Sequence, residues 1–126
     1  MRRFLLSATL ALAACNGPVI DQGVVGPYRL VATDAQAEQM LCYSLSDGNC
    51  VERVPATVFE VGYDNRYVVA SVDEDNDGSH LSYYYIVRSL DGPLVDPSVS
   101  VKGPLSLQEF ERGQSRLALP KARPVD

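Results

Sequence analysis

The stretch Asp73-Glu74-Asp75-Asn76-Asp77-Gly78 carries the plainest chemical possibility in the chain. Carboxylates at alternate positions followed by glycine suit a hard cation, and calcium, which takes oxygen ligands, fits that run. Asp73, Asp75 and Asp77 are the candidate metal ligands. Only the first half of an EF-hand loop is present. Its twelfth position is Tyr84, where a bidentate glutamate is required, and the residues after it have strand character. A calcium site would have to recruit Glu74, a backbone carbonyl, water or Asp64, so the bland alternative is an acidic hairpin loop. No other cofactor is implied. His80, the single histidine, follows directly. Nucleophilic catalysis would need a serine and a carboxylate to converge on it, and no nucleophile-elbow sequence marks such a serine. The expectation is a surface residue at the loop edge; whether the chain is an enzyme is left open, and a hydrolase would need a concave pocket with polar groups converging around His80.

The three cysteines divide into one and two. Cys15 ends a segment with a positive start at Met1-Arg2-Arg3, an apolar run over 4–12 and small residues at Ala13-Ala14. This is the anatomy of a secretory signal, and it is too short for a membrane span, which needs roughly 20 apolar residues. Leu12-Ala13-Ala14-Cys15 resembles the lipobox of bacterial lipoproteins. The resemblance implies that residues 1–14 are removed, that the Cys15 thiol is lipidated, and that the membrane is a partner through this lipid. Asn16 stands where aspartate often signals inner-membrane retention in similar lipoproteins, which favours the outer membrane facing the periplasm. Cys42 and Cys50 remain to pair as a disulfide in an oxidising compartment. Closing so short a loop stabilises a fold by roughly 2–3 kcal/mol on the chain-entropy account. A two-residue turn at Asp47-Gly48 would set Cys42 opposite Arg53, so the bridge demands a wider loop.

Taking residues 1–14, which include Arg2 and Arg3, from a chain of 126 residues at net charge −5 leaves 112 residues at −7. That length suits one small domain. The acidic balance argues against nucleic acid as a partner, since phosphate backbones reward basic patches.

The elements that must position these residues read as follows. Residues 15–26, with Gly17, Pro18, Gly23 and Gly26, have no sustained periodicity and are expected to form a flexible tether. A domain over 27–119 should begin with a strand at 28–32 and a turn or single helical turn near 35–39. Strands at 40–45, 50–54 and 57–61 follow. The strongest strand signal is 66–72, answered by 81–87 across the polar loop 73–79. Period-two geometry places Tyr83 and Tyr85 on one face of 81–87, with Tyr84 and Ile86 on the other. Either that strand is central and covered on both sides, or the face of Tyr83 and Tyr85 is offered to a partner. Residues 90–97 read as loop and 98–101 as a last short strand. Ser106 and Glu109 then form a capping box, with Leu107, Phe110 and Leu117 on the packed face of a C-terminal helix. Residues 120–126 are expected to be a tail. The fold class is mainly β, an antiparallel sheet or meander with one short C-terminal helix packed on it.

The stretches Val61-Gly62-Tyr63-Asp64-Asn65-Arg66-Tyr67, Tyr83-Tyr84-Tyr85-Ile86 and Gly103-Pro104-Leu105-Ser106-Leu107-Gln108-Glu109-Phe110 resemble a small family of uncharacterised bacterial lipoproteins. The resemblance implies export and the β-rich fold, and brings no activity. The resulting expectation is a non-catalytic binding or structural module of the cell envelope with a protein partner. The alternatives are an inhibitor or accessory factor of an envelope enzyme, and a weak calcium-binding module. No small-molecule substrate is legible.

Overall fold

Two antiparallel sheets and a helix stack in three layers in the computed structural model, which describes residues 20–125. Cys15 and the segment 1–14 lie outside the described residues. The first sheet has four strands in sequence order: β1 (Ile20–Val25), β2 (Tyr28–Ala32), β3 (Met40–Ser44) and β4 (Cys50–Val54). Five strands make the second: β5 (Val58–Tyr63), β6 (Tyr67–Asp73), β7 (Leu81–Val87), β8 (Val101–Leu105) and β9 (Arg123–Pro124), in the order β8-β7-β6-β5-β9.

Alternation along the strands explains the layering. Leu30 and Leu41 from the first sheet meet Val68, Ala70, Val72, Tyr84 and Ile86 from the second in one buried cluster. Tyr67, Val69 and Tyr85 point the other way and pack with Phe110 and Leu119. Strand β6 is therefore buried on both faces, as is most of β7. Each fully buried valine contributes about 1.5–3 kcal/mol relative to exposure, so this hairpin is the spine of the domain. Helix α2 (Leu107–Leu117) covers the outer face of the second sheet. It starts at a capping box in which Ser106 Oγ accepts from Glu109 N at 3.1 Å and Glu109 Oε1 accepts from Ser106 N at 3.0 Å. Phe110 is buried as expected; Leu107, expected on the same packed face, is 52% exposed.

Three expectations about the connecting segments are overturned. Residues 20–25 are strand β1, hydrogen-bonded along β2 from Ile20↔Ala32 to Val25↔Tyr28, so this part of the tether expected over 15–26 belongs to the folded domain, while residues 15–19 lie outside the described residues. An edge strand pairs on one side only and needs little apolar surface, so the composition of Ile20-Asp21-Gln22-Gly23 concealed it. Residues 98–101 do not make a strand. Asp96 caps the short helix α1 (Pro97–Ser100), accepting from Ser98 N, with proline at the first helical position, where its missing N–H costs nothing. The expected tail at 120–126 includes β9, paired with Val61 and Glu60 of β5. Gly62 makes that approach possible, since a Cβ there would overlap the Lys121 carbonyl.

The sheets are tied at one pole by Gln39 and Val58: Val58 N donates to Gln39 O, and Gln39 Nε2 donates to Val58 O, both at 2.9 Å. Thr57 Oγ1 donates to Ala37 O beside them. Ile20, the 3-10 turn Gln36–Glu38 and the acidic β6–β7 loop share this pole, because Thr57 also exchanges hydrogen bonds with Asp73. The β1–β2 turn at Gly26, residues 64–66 and the segment leaving β7 at Arg88 occupy the opposite pole.

Candidate functional site

The acidic loop is a self-capped turn. Asp73 accepts from Asp77 N and Gly78 N, and Asp77 Oδ1 accepts from Ser79 N and Ser79 Oγ. Asp75 Oδ2 lies 2.6 Å from His80 Nδ1. Asp73, Asp75 and Asp77 thus each bond partners within the loop, and among the described residues no group of three His, Cys, Asp or Glu side chains is arranged to hold a metal ion.

Ser79, His80 and Asp75 have the residue types of a catalytic triad without its geometry. Ser79 Oγ and Asp75 Oδ2 both approach the same ring nitrogen, Nδ1, at 3.4 and 2.6 Å. A triad needs the serine on one nitrogen and the carboxylate on the other. All three side chains are also in open solvent. The Asp75 hydrogen bond and charge raise the His80 pKa above its ordinary 6.5.

Tyr83 and Tyr85 are not on a free face. Tyr83 stacks on Phe110 of α2 with ring centroids 5.4 Å apart, and Tyr85 is 9% exposed beneath the same helix, in edge contact with Tyr67. Their strand is the central, doubly covered one. Cys42 and Cys50 are bridged, with Cα atoms 5.6 Å apart. The wider loop is present: Ser44 pairs with Cys50, and residues 45–49 close the hairpin.

A second constellation was not anticipated. The β3–β4 ladder runs Leu41↔Val54 and then Cys42↔Glu52, so Arg53 is the extra residue of a β-bulge. A bulge re-aims a side chain, and Arg53 is turned into the protein. Its Nε donates to Asp91 Oδ1 and Oδ2 at 3.0 and 3.1 Å, and neither side chain of this ion pair has any solvent exposure. Asp91 also accepts from Tyr28 Oη at 2.8 Å, Ser100 Oγ at 2.9 Å and its neighbour Gly92 N at 3.0 Å. Burial and the bond to Asp91 push the Tyr28 hydroxyl pKa far above the usual tyrosine range, so it remains a donor. Arg53 NH2 donates to Gly92 O at 2.7 Å and Val95 O at 3.3 Å, the two carbonyls that bound the turn Gly92-Pro93-Leu94-Val95. The Tyr43 ring lies 5.4 Å from the guanidinium.

The result is a surface turn with a buried base. At its tip Leu94 is 97% exposed, and Leu90 and Val99 on either side are 49% and 50% exposed. Sequence reasoning missed this because Asp91-Gly92-Pro93 reads only as a loop. The one available signal was Arg53 itself, which alternation places on the same face as the inward Val51. Comparison with known proteins returns no match to a family model, a curated protein or a solved structure.

Removing one member of a buried ion pair strands the other, at about 3–5 kcal/mol. Asp91→Ala is expected to lose stability of that order in urea unfolding, and Arg53→Met combined with Asp91→Leu to lose much less; equal losses would contradict the pair. For His80, a raised folded pKa means that its contribution is complete below the unfolded value and disappears as pH rises through the folded one. An NMR titration should give a midpoint above 6.5 that falls in Asp75→Asn. An unchanged midpoint would show that the contact is absent in solution.

Proposed function

We propose that this chain is a lipid-anchored, non-catalytic binding module of the bacterial cell envelope, held to the membrane through Cys15 and engaging a protein partner through the loop around Leu94. The observation that carries the binding half is the 97% exposure of Leu94 on a turn whose carbonyls are gripped by a buried arginine. Isolated exposed leucines are ordinary on protein surfaces. Here three apolar side chains, Leu90, Leu94 and Val99, sit on a segment whose conformation is fixed from beneath, which lowers the ordering cost of association. Apolar anchors filling a partner's pocket supply most of the energy in such contacts.

The export half draws support from the Cys42–Cys50 bridge, since structural disulfides persist mainly in oxidising compartments, and from the lipobox-like sequence before Cys15. Asn16 favours the outer membrane, facing the periplasm. An inhibitor or accessory factor of an envelope enzyme is the second reading, favoured by the same protruding turn, which has the shape to enter a cleft. Neither reading calls on calcium; Asp73, Asp75 and Asp77 accept hydrogen bonds within their own loop.

Two measurements test the proposal. Radiolabelled palmitate should enter the wild-type protein and not Cys15→Ser; equal labelling of both removes the anchor. A photo-crosslinking amino acid at position 94 should yield a discrete adduct with one envelope protein, and the same group at the exposed position 107 should not. Identical adduct patterns at the two positions would remove the docking loop. An adduct with an enzyme whose activity falls on binding would select the inhibitor reading.

A further inference from the structure

Strand β1 begins so early that the lipid would leave the domain little freedom. Ile20 is already paired with Ala32, and only four residues, 16–19, lie between it and Cys15. Whatever the conformation, the five residue steps from Cys15 to Ile20 reach at most about 18 Å. We infer that, when Cys15 is acylated, the domain stands against the bilayer by the pole that holds Ile20, the turn Gln36–Glu38 and the acidic loop. The turn bearing Leu94 then faces away from the membrane that holds the lipid. This inference rests on the lipid anchor proposed above and adds the direction from which a partner must come.

Leu94 belongs to the segment that leaves β7 after Val87, and β7 is antiparallel to β6 with Leu81↔Asp73 at one end and Tyr67↔Val87 at the other. The Asp73 end is the Ile20 end, because Thr57 bonds both Asp73 and Ala37, and Gln39 bonds Val58. A seven-residue strand is roughly 20 Å long, and the loops beyond it lengthen the domain further. Setting Leu94 on the bilayer would require the connection from Cys15 to run the whole length of the domain, which a reach of about 18 Å does not cover.

Charge acts in the same assembly without changing the direction. Asp34, Glu38, Glu74, Asp75 and Asp77 are exposed at the proximal pole, and anionic headgroups repel them over about one Debye length, roughly 10 Å at 0.1 M salt. The proximal pole is held near the surface by covalent linkage and kept from adhering by like charge. The distal loop is therefore offered to a soluble protein, or to one reaching across from the opposite side of the compartment. It is not offered to a neighbour embedded flat in the same bilayer.

The test uses the lipidated full-length protein in vesicles of phosphatidylethanolamine and phosphatidylglycerol containing headgroup-nitroxide lipid. A fluorophore is attached at Gln36→Cys in one sample and at Leu94→Cys in another. Strong quenching at position 36 and several-fold weaker quenching at 94 is the expected result, with quenching at 36 rising further in 1 M salt. Ten glycine and serine residues inserted between Val19 and Ile20 should erase the difference. Equal quenching in the uninserted protein, or stronger quenching at 94, overturns the orientation. Protein that carries no lipid at Cys15 and stays off the vesicles fails at the anchor itself, and the orientation falls with it.

Discussion

The interaction on which the turn bearing Leu94 depends is the ion pair of Arg53 and Asp91, from which solvent is fully excluded. Taking both charges out of water costs several kcal/mol each, and their attraction repays this only when the remaining donors and acceptors are satisfied. Here they are. The carboxylate gathers Tyr28, Ser100 and the Gly92 amide in addition to the guanidinium, and the guanidinium spends its remaining donors on backbone carbonyls of Glu52, Gly92 and Val95. Such a pair adds little net stability over an apolar replacement. What it supplies is one conformation for a glycine- and proline-containing loop that no strand pairing would otherwise hold.

That requirement explains the bulge. Without the extra residue in β4, Arg53 and Val54 would point to opposite faces. With it, Val54 fills the core while Arg53 reaches the loop from below. On the turn side of the irregularity the disulfide joins Cys42 to Cys50, and on the other side Leu41 pairs with Val54, so the strand that carries the arginine is held at both ends. At the other pole the sheets are joined by Gln39 and Val58 through neutral hydrogen bonds. The domain thus has one pole that holds Ile20 and the acidic loop and one that displays apolar side chains, with a doubly covered hairpin between them.

How much of this was legible follows from the range over which each signal acts. The hairpin of β6 and β7 was read correctly because β-branched and aromatic runs are local, and so was the capping box at Ser106 and Glu109. Both faces of β7 carry bulk, and the structure accounts for it: Tyr84 enters the sandwich while Tyr83 and Tyr85 lie under α2. Strand β1 was invisible because an edge strand containing Gly23 has the composition of a linker and is defined by its partner. Helix α1 was missed although Asp96-Pro97 is a cap followed by a first-turn proline, a two-residue signal lost in a loop-like context. The Arg53–Asp91 pair joins residues 38 positions apart, and no pattern in one sequence reports a contact of that kind. Among the candidate sites, the disulfide was deduced from cysteine arithmetic. The acidic run does form the β6–β7 loop, and its carboxylates bond backbone amides, Ser79 and His80 within that loop, which composition does not reveal.

Amide hydrogen exchange at Val95 tests the central claim most directly. Val95 N donates to Gly92 O at 3.2 Å, and Gly48 N donates to Leu45 O at the same distance in the exposed turn of the β3–β4 hairpin. The two bonds are alike except that a buried arginine grips the first turn from inside. If that grip sets the loop, opening it requires breaking the core, and Val95 should exchange at rates close to those of β6 amides while Gly48 exchanges quickly. Val95 exchanging as fast as Gly48 would mean that the turn moves independently of Arg53, and that Leu94 is displayed on nothing rigid.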